Sequence, residues 1–513
     1  MHGIRVGWAM RFHTRSKSDR PTARSLNGAY LVADAWDDYG YKTLWTLIVV
    51  TDGRVDEIGG VKIGDKADSS RPDLPPEFSK LPDLYFSLGQ DEDYYDRLNT
   101  LGPDEAARVL NGLNDIALDL KRFHQVESLD VTQTSLLRWV TAVAVQTQLH
   151  RIALGGARLS PYSFWYETPG SDRYGAAVQP KRLDFEVEPT SMPRTNIHVL
   201  IGRNGVGKSF ILNDLATALT RRESAGSVGF VQRNDDKLAN RFANVVSVAF
   251  SAFDGFERRR QSTAAGALRH HYIGLKNIPT AVGDKSLGLK DHVTLARDFS
   301  QSLGKLEKGG RIERWNRILG PLLSDPLFAE LLERLREAQG DELRERARRV
   351  FAELSSGHKI VLLTLTRLVE TVEEASLVLI DEPESHLHPP LLSAFMSALS
   401  ELLEERNGVA IVATHSPVVL QEVSRSCVWK LMGSAGELAV RRPAIETYGE
   451  NVGTLTQEVF GLEVTEAGFH RSLAELVREY PTADYGRLVE MFDGRLGAEA
   501  RALLQSMVYF ARQ

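Results

Sequence analysis

The sequence predicts an α/β fold in which a parallel sheet carries a phosphate-binding loop. Three short apolar runs at 196–201, 376–380 and 408–413 have the length and composition of buried parallel strands. Segments 210–219 and 359–368 have apolar residues at helical spacing, so strands and helices alternate along this part of the chain. Each strand run leads into a polar motif, and such sheets bind ligands at the carboxyl ends of their strands.

The first motif is a glycine-rich loop. Residues 202–209 read Gly-Arg-Asn-Gly-Val-Gly-Lys-Ser and match G-x-x-x-x-G-K-[ST] at every fixed position. The glycines allow the backbone to wrap a polyphosphate, and the start of the next helix adds positive potential. Lys208 is expected to reach the β- and γ-phosphates, and the Ser209 hydroxyl to ligate Mg²⁺. The predicted nucleotide contacts are Gly202, Arg203, Asn204, Gly205, Val206, Gly207, Lys208, Ser209 and Phe210.

The second motif is acidic. The run 376–380 ends in Asp381, Glu382 and Pro383. An acidic residue at the carboxyl end of a buried parallel strand lies where such sheets bind their ligand. Asp381 is therefore predicted to hold Mg²⁺, and Glu382 to orient and deprotonate the attacking water as general base. Together with the loop, this motif indicates nucleotide hydrolysis rather than binding alone.

The third motif stands ahead of the acidic strand. Residues 354–358 read Leu-Ser-Ser-Gly-His and precede a helical pattern. In this position they resemble the signature motif of ABC-type ATPases, in the looser L-S-x-G form of the SMC, RecF and OLD branch. The resemblance implies that Ser355 and Gly357 bind the γ-phosphate held by the partner's loop in a head-to-tail dimer. Ser356 and His358 depart from the L-S-G-G-Q of transporters, and no role is assigned to His358.

A histidine after the third strand adds to the resemblance. The run 408–413 continues as Thr-His-Ser-Pro, where the family places its γ-phosphate sensor, which implies that role for His415. Residues 384–389 read Glu-Ser-His-Leu-His-Pro and resemble the soluble ATPases of bacterial anti-phage systems of the Septu type and of the OLD group. Because two histidines without a third ligand are a weak metal site, His386 and His388 are predicted to contact the dimer partner.

The resemblance covers about residues 195–420 and implies ATP and Mg²⁺ as ligands and ATP hydrolase activity. ATP would join two protomers into a dimer or higher assembly, and hydrolysis would release them. No metal-nuclease motif stands in the sequence. The expected effector is therefore a separate nuclease or toxin, with an HNH nuclease as in Septu systems one candidate. The expected function is an ATPase that controls this effector in anti-phage defence.

Two other functions stay open. One is a DNA-repair ATPase of the RecF or SMC type, which duplex DNA should stimulate. The other is the nucleotide-binding subunit of a transporter, which would need a membrane partner. A region of about 190 residues ahead of the loop disfavours the transporter, because such subunits are typically shorter.

Composition limits the partners and the compartment. The net charge is −6, from 62 basic and 68 acidic residues, so any nucleic-acid binding has to be local, for example at the basic cluster 258–260. A single cysteine, Cys427, fits a reducing compartment. No stretch approaches the ~18 apolar residues of a membrane span, so a cytoplasmic protein without a membrane partner is expected.

The chain is expected to divide into three parts. Residues 1–190 are predicted as an N-terminal β lobe, with strands at 28–36, 43–51 and 54–63, plus a helical region from 91 to 153. Residues 191–440 are predicted as an ABC-type ATPase core with a helical insertion at about 255–350, and residues 441–513 as a C-terminal helical unit. The family's loop glutamine is missing after the strand at 244–250, and Ser251 or Asp254 is expected to replace it.

Overall fold

Three β-sheets with helices around them form the protein. Its computed structural model describes residues 10–156, 159–171, 177–220, 228–233, 242–249, 268–277, 288–308, 311–336, 338–434, 437–466 and 468–511. The sheets have six, three and seven strands, respectively. Ser251, Asp254 and the basic cluster 258–260, all singled out in the sequence, lie outside the described residues.

The six-stranded sheet is formed by the N-terminal part of the chain. Its strands are β1 (Phe12–Arg15), β2 (Gly28–Ala33), β3 (Leu44–Thr51), β4 (Arg54–Asp65), β5 (Glu77–Phe78) and β6 (Tyr85–Gly89). They follow the order β5-β1-β2-β3-β4-β6, with β1 and β2 parallel and the other neighbours antiparallel. The β3–β4 hairpin turns at Asp52 and Gly53, both with positive φ, as the Asp-Gly pair predicts.

Helices from residue 92 onward pack on this sheet. They are α1 (Glu92–Leu101), α2 (Pro103–Gly112), α3 (Leu120–Val126), α4 (Ala142–Ala144) and α5 (His150–Ala153), with π-helical segments at Thr132–Leu136 and Val145–Leu149. The predicted helical region is thus confirmed. Asp91 caps α1 by accepting a hydrogen bond from the Tyr94 N–H, and Pro103 begins α2. Sheet and helices share one apolar core that includes Phe86, Tyr95 and Leu110.

The antiparallel lobe next to the loop comes from a different part of the chain than predicted. Its strands are β7 (Tyr162–Glu167), β8 (Arg182–Val187) and β10 (Phe230–Arg233), in the order β10-β7-β8. Buried aromatic residues of β7 and β8 pack against the helix that follows the loop, α6 (Lys208–Thr220). The prediction that the strands at 28–63 form this lobe was therefore wrong, since they belong to a separate sheet with its own core.

The seven-stranded sheet carries the sequence motifs. Its strands are β9 (Ile197–Ile201), β11 (Asn244–Ala249), β12 (Arg269–Gly274), β13 (Leu377–Asp381), β14 (Val409–Thr414), β15 (Val428–Ser434) and β16 (Glu437–Arg441). The order is β12-β11-β13-β14-β9-β15-β16, and all neighbours are parallel except β15 and β16. The three predicted strands are confirmed as β9, β13 and β14. Because β14 lies between the other two and all three strands are parallel, the motifs that follow them meet at the carboxyl ends of the strands.

Helices cover the face of this sheet opposite the antiparallel lobe. They are α7 (His292–Lys308), α8 (Ile312–Ile318), α9 (Pro326–Arg336), α10 (Gly340–Glu353), α11 (Ser356–Thr371), α12 (Pro389–Glu405) and α13 (Pro417–Leu420). Short 3₁₀ turns lie at Gly320–Ser324, Pro383–His386 and Arg425–Cys427. The helices bury Phe299, Trp315 and Phe351 in one large core with β9, β11 and β13. The helical block predicted before residue 350 is thus part of the ATPase core.

The C-terminal segment is helical. It contains α14 (Val452–Glu466), which bends at Gly461, followed by α15 (Gly468–Glu479), α16 (Tyr485–Glu490) and α17 (Ala498–Ala511). The last three helices enclose a small core of their own around Leu473, Leu488 and Leu504. Among the described residues, no helix is long and apolar enough to cross a membrane.

Candidate functional site

The glycine loop follows β9 with the geometry that its glycines permit. Gly205 and Gly207 have φ of +80° and +105°, in the left-handed region that favours glycine, and no atom lies within 4 Å of where a Cβ would be. Gly202 is packed closely, because a Cβ there would lie 2.4 Å from the Leu431 carbonyl oxygen. The loop backbone is therefore open on one side and held firmly on the other. Phe210, just after the loop, is exposed.

Lys208 begins α6 and is almost fully buried, with 4% of its surface exposed. Its Nζ donates hydrogen bonds to the carbonyl oxygens of Gly202 at 2.9 Å and Arg203 at 3.0 Å. Burial lowers the pKa of Lys208, while the negative charges of Glu382 and Asp381 act in the opposite direction. Hydrogen bonds to the backbone thus hold the ammonium group at the loop whose bound phosphates it is predicted to contact.

Ser209 and Asp381 connect the loop to the acidic strand. The Ser209 Oγ donates a hydrogen bond of 3.0 Å to Asp381 Oδ1, across 172 positions of sequence. Asp381 is the last residue of β13 and is buried, with Ala249 and Ala413 as its neighbours in the adjoining strands. The structure thus brings together the two residues that the sequence predicts as Mg²⁺ ligands.

Glu382 turns away from the sheet immediately after Asp381. Its backbone is left-handed, with φ 47° and ψ 60°, which is uncommon for a residue with a side chain. The Glu382 N–H still donates to the Ala413 carbonyl oxygen at 2.9 Å, so this conformation is held by the sheet. The side chain is about one third exposed (31%) at the carboxyl edge. The carboxylate predicted as general base is therefore accessible to solvent beside the loop.

His415 is positioned by an acidic residue that the sequence analysis missed. The carboxylate of Glu384 accepts hydrogen bonds from Thr414 Oγ1 at 2.6 Å and the His415 N–H at 2.7 Å. The same Glu384 oxygen lies 3.1 Å from His415 Nδ1, whereas the nearest Glu382 oxygen is 3.9 Å away. Glu384 is nearly buried and His415 is 43% exposed. This contact had a signal that could have found it. The strands β13 and β14 are parallel neighbours, so the segments that follow them must lie close together.

The signature residues lie at the start of α11. Ser355 is the N-cap of this helix and accepts from the His358 N–H. Gly357 packs so closely on the segment after β13 that a Cβ would lie 2.7 Å from the His386 carbonyl oxygen. Among the described residues, no hydrogen bond joins Ser355 or Gly357 to the loop 202–210 of their own chain. The segment predicted to contact a dimer partner therefore packs on the signature helix of its own chain.

Sheet order and site together define the class of protein. A phosphate loop after β9, an acidic pair after β13 and a histidine after the intervening β14 are the parts of an ABC-like P-loop ATPase domain. Residues 292–421 match the family described as "AAA domain, putative AbiEii toxin, Type IV TA system". The chain belongs to the family of protein ea59 of Escherichia phage lambda, with 39% identity over 512 residues that cover 94% of this chain and 95% of that protein.

Solved structures with some likeness are ATP-binding cassettes. One is the ADP conformation of an ATP-binding cassette of an ABC transporter, with 15% identity, 60% of this chain, 98% of that chain and a TM-score of 0.31. Another is cbiO1 from Clostridium perfringens, part of an ABC transporter complex, with 16% identity, 53% of this chain, 84% of that chain and a TM-score of 0.29. Because these scores are low, the class rests on the sheet order and motifs of this chain.

Proposed function

We propose that this chain is an ATPase whose ATP-bound form is a head-to-tail dimer, and that its nucleotide cycle controls a separate effector. One observation carries the proposal. The Ser209–Asp381 hydrogen bond joins the phosphate loop to the acidic strand end, and Glu382 and His415 stand beside it. A loop alone would support binding, whereas this combination supports hydrolysis.

The loop would hold the phosphates of ATP. The backbone N–H groups of 202–209 and the ammonium of Lys208 supply donors and positive charge. The Ser209 hydroxyl and the Asp381 carboxylate are oxygen ligands 3.0 Å apart, which suits Mg²⁺ because this ion prefers oxygen and retains several waters. Mg²⁺ bound there would neutralise charge on the phosphate oxygens.

Glu382 and His415 would act on the attacking water and the γ-phosphate. The exposed Glu382 carboxylate can accept a proton from water at the end of β13. The His415 ring faces the buried Glu384, whose carboxylate can accept a hydrogen bond from Nδ1–H and so fix the orientation of the ring toward the γ-phosphate. Glu384 is therefore proposed as the residue that holds His415 in place.

A second protomer would complete the site. Ser355 is exposed and stands at the start of a 16-residue helix, with its hydroxyl and N–H groups as donors for an anion. Among the described residues, no hydrogen bond joins it to the loop of its own chain, which suits a role toward a partner's γ-phosphate. ATP would then favour the closed dimer and hydrolysis would favour the open form.

A separate effector is proposed from the relatives of this chain. The family matched by residues 292–421 is described with a toxin of a Type IV TA system, and the related protein ea59 is encoded by a phage. We place this chain in the cytoplasm as the ATPase of a system that acts against phages, with a separate nuclease or toxin as its effector. A DNA-repair ATPase of the RecF type is the rival, and duplex DNA should then raise the ATPase rate strongly.

Mixing two inactive variants tests the composite site. Lys208→Ala should abolish ATP binding, and Ser355→Arg should block the partner's γ-phosphate. A heterodimer of the two has one composite site with both defects and one with neither, so ATPase activity should return on mixing. The matched control is Lys208→Ala mixed with Lys208→Ala,Ser355→Arg, which leaves no intact site. If mixed samples with demonstrated subunit exchange stay inactive, the head-to-tail dimer is not the active form.

A further inference from the structure

The signature serine is one end of a chain of three polar side chains. The Ser355 Oγ lies 2.5 Å from His358 Nδ1, and His358 Nε2 lies 2.8 Å from Asp325 Oδ2. Asp325 directly precedes α9, while Ser355 and His358 are on the first turn of α11. The His358 ring is nearly buried (8% exposed) and packs on the ring of Phe328 at 5.2 Å. Ser355 is exposed and the Asp325 side chain is partly exposed (24%), so the nearly buried imidazole connects two side chains that reach solvent.

The direction of these hydrogen bonds depends on the charge of His358. Burial acts to raise the pKa of Asp325, but the hydrogen bond from His358 leaves it below its usual value, so the carboxylate is ionised and only accepts. His358 Nε2 must then carry a hydrogen. In the neutral ring Nδ1 has none, and the Ser355 hydroxyl donates to it. In the charged ring Nδ1–H donates to Ser355 Oγ instead, which leaves the hydroxyl hydrogen free.

This difference matters for a phosphate. A γ-phosphate oxygen only accepts hydrogen bonds, so it gains from Ser355 when the hydroxyl hydrogen points toward it. While His358 is neutral, that hydrogen is engaged within the protein, and the serine presents its lone pairs to the anion. A charged His358 removes the conflict, and the Asp325 carboxylate compensates the charge.

We propose that His358 and Asp325 are positioning residues for Ser355, and that closure of the ATP-bound dimer takes up a proton at His358. The inference rests on the proposed head-to-tail site and adds a residue to which the sequence analysis gave no role. Closure becomes tighter as the pH falls through the range in which His358 takes up its proton. Besides Asp325, the charged form of His388 lies close enough to lower the pKa of the same Asp325 carboxyl.

The test is the pH dependence of dimerisation of the full-length chain with Mg²⁺ and AMP-PNP, an ATP analogue that resists hydrolysis. Sedimentation equilibrium between about pH 6 and about pH 8 gives the dimer dissociation constant. One proton taken up per composite site tightens the dimer by up to about tenfold per site for each pH unit. In His358→Gln the amide can still form a hydrogen bond with Ser355, but it cannot take up a proton. The dimer should therefore form, with a dissociation constant that depends less on pH. The control is His124→Gln, an exposed histidine of the N-terminal unit, which should keep the wild-type profile.

Asp325→Asn provides an independent variant if His358→Gln does not fold. The amide oxygen can still accept from His358 Nε2, but the compensating charge is lost, so the pH profile should move to lower pH. A dimer whose pH profile is the same in wild type, His358→Gln and Asp325→Asn overturns this inference and leaves the proposed function intact. Absence of any nucleotide-dependent dimer in the wild type overturns the proposed function, and this inference with it.

Discussion

Charged residues differ in exposure between the two ends of the parallel strands in the seven-stranded sheet. The carboxyl edge is the side where these strands end, and the amino edge is the side where they begin. At the carboxyl edge, Glu382 and His415 are 31% and 43% exposed and lie 3.9 Å apart. At the amino edge, the N-terminal unit meets the ATPase core through Glu92, which is 1% exposed and forms ion pairs with both Arg314 and Arg406. The carboxyl edge thus leaves two charged side chains accessible beside the buried Lys208 and Asp381, whereas the carboxylate at the amino edge is buried and paired.

A second ion pair, with a buried carboxylate, lies at the amino edge. Glu374, three residues ahead of β13, accepts from Arg151 at 2.7 Å and from Thr147 at 3.0 Å. The same strand therefore begins at an ion pair with the N-terminal unit and ends at the proposed Mg²⁺ ligand. At the carboxyl edge the proposed general base Glu382 and the sensor His415 stay partly solvated, while the carboxylates that join the two parts of the chain are removed from water. The edges should therefore respond differently to substitution: loss of turnover at one and loss of stability at the other.

Glu382→Gln should show the largest effect and confine it to turnover. The amide keeps the shape of the side chain but cannot accept the proton, so ATP hydrolysis should fall by about 100- to 10,000-fold. ATP binding should persist and the ATP-bound dimer should accumulate. Steady-state phosphate release and equilibrium binding of a fluorescent ATP analogue separate the two steps. Unchanged turnover would remove Glu382 from the mechanism.

Glu92→Ala tests the amino edge. The substitution removes the buried carboxylate that Arg314 and Arg406 share, while Arg314 keeps its ion pair with Glu405, so the free energy of unfolding should fall by about 3 kcal/mol. Urea unfolding measures the change, with Glu127→Ala, an exposed residue of the same N-terminal unit, as the control. ATP affinity of the folded fraction should stay near wild type. A loss of stability no greater than that of the control would show that the two units are held together by other contacts.

Glu384→Gln tests how far the carboxyl edge depends on a nearly buried charge. The amide oxygen can still accept from Thr414 and the His415 N–H, but the charge opposite the imidazole is lost. We expect ATPase turnover to fall by about tenfold, equal to roughly 1.4 kcal/mol, with little change in ATP affinity. Ser385→Ala, in the next, exposed position, is the control. A change in ATP affinity without a change in turnover would assign Glu384 to binding instead.

The smallest expected effect is on the pH dependence of the free energy of unfolding. It concerns a buried histidine in the interior between the two edges. Burial lowers the pKa of His198, in the inner strand β9, from 6.5 to about 3. Between these values the unfolded chain binds a proton that the folded chain does not, so the free energy of unfolding should decrease as pH falls below 6.5. His198→Gln should show a shallower decrease in urea unfolding between about pH 7 and about pH 5, by up to about 1.4 kcal/mol per pH unit.

The exposed His124→Gln serves as the reference for this comparison. It should keep the wild-type dependence of unfolding free energy on pH, because it leaves the buried imidazole of His198 in place. If His198→Gln also keeps that dependence, the acid sensitivity has another origin.

Much of the carboxyl edge was predictable from the sequence because its signals are local. The glycine loop, the acidic pair after β13 and the serine that caps α11 each lie within a few consecutive residues next to a strand or helix pattern. The order of these motifs along the chain indicated the ABC-like core. Local backbone geometry and hydrophobic periodicity set such features, so they could be read without knowing the rest of the fold.

Pairings between distant segments were decided by the tertiary structure alone. The antiparallel lobe joins β7 and β8 to β10, more than 40 residues further on, and several N-terminal strands have equally suitable compositions. Glu384 faces His415 across 31 positions, and Asp325 reaches His358 across 33. The apolar residues of a strand do not specify which strand pairs with it. The sequence around a carboxylate likewise does not specify which side chain it contacts. The sequence therefore determined which residues could act, and packing determined which of them meet.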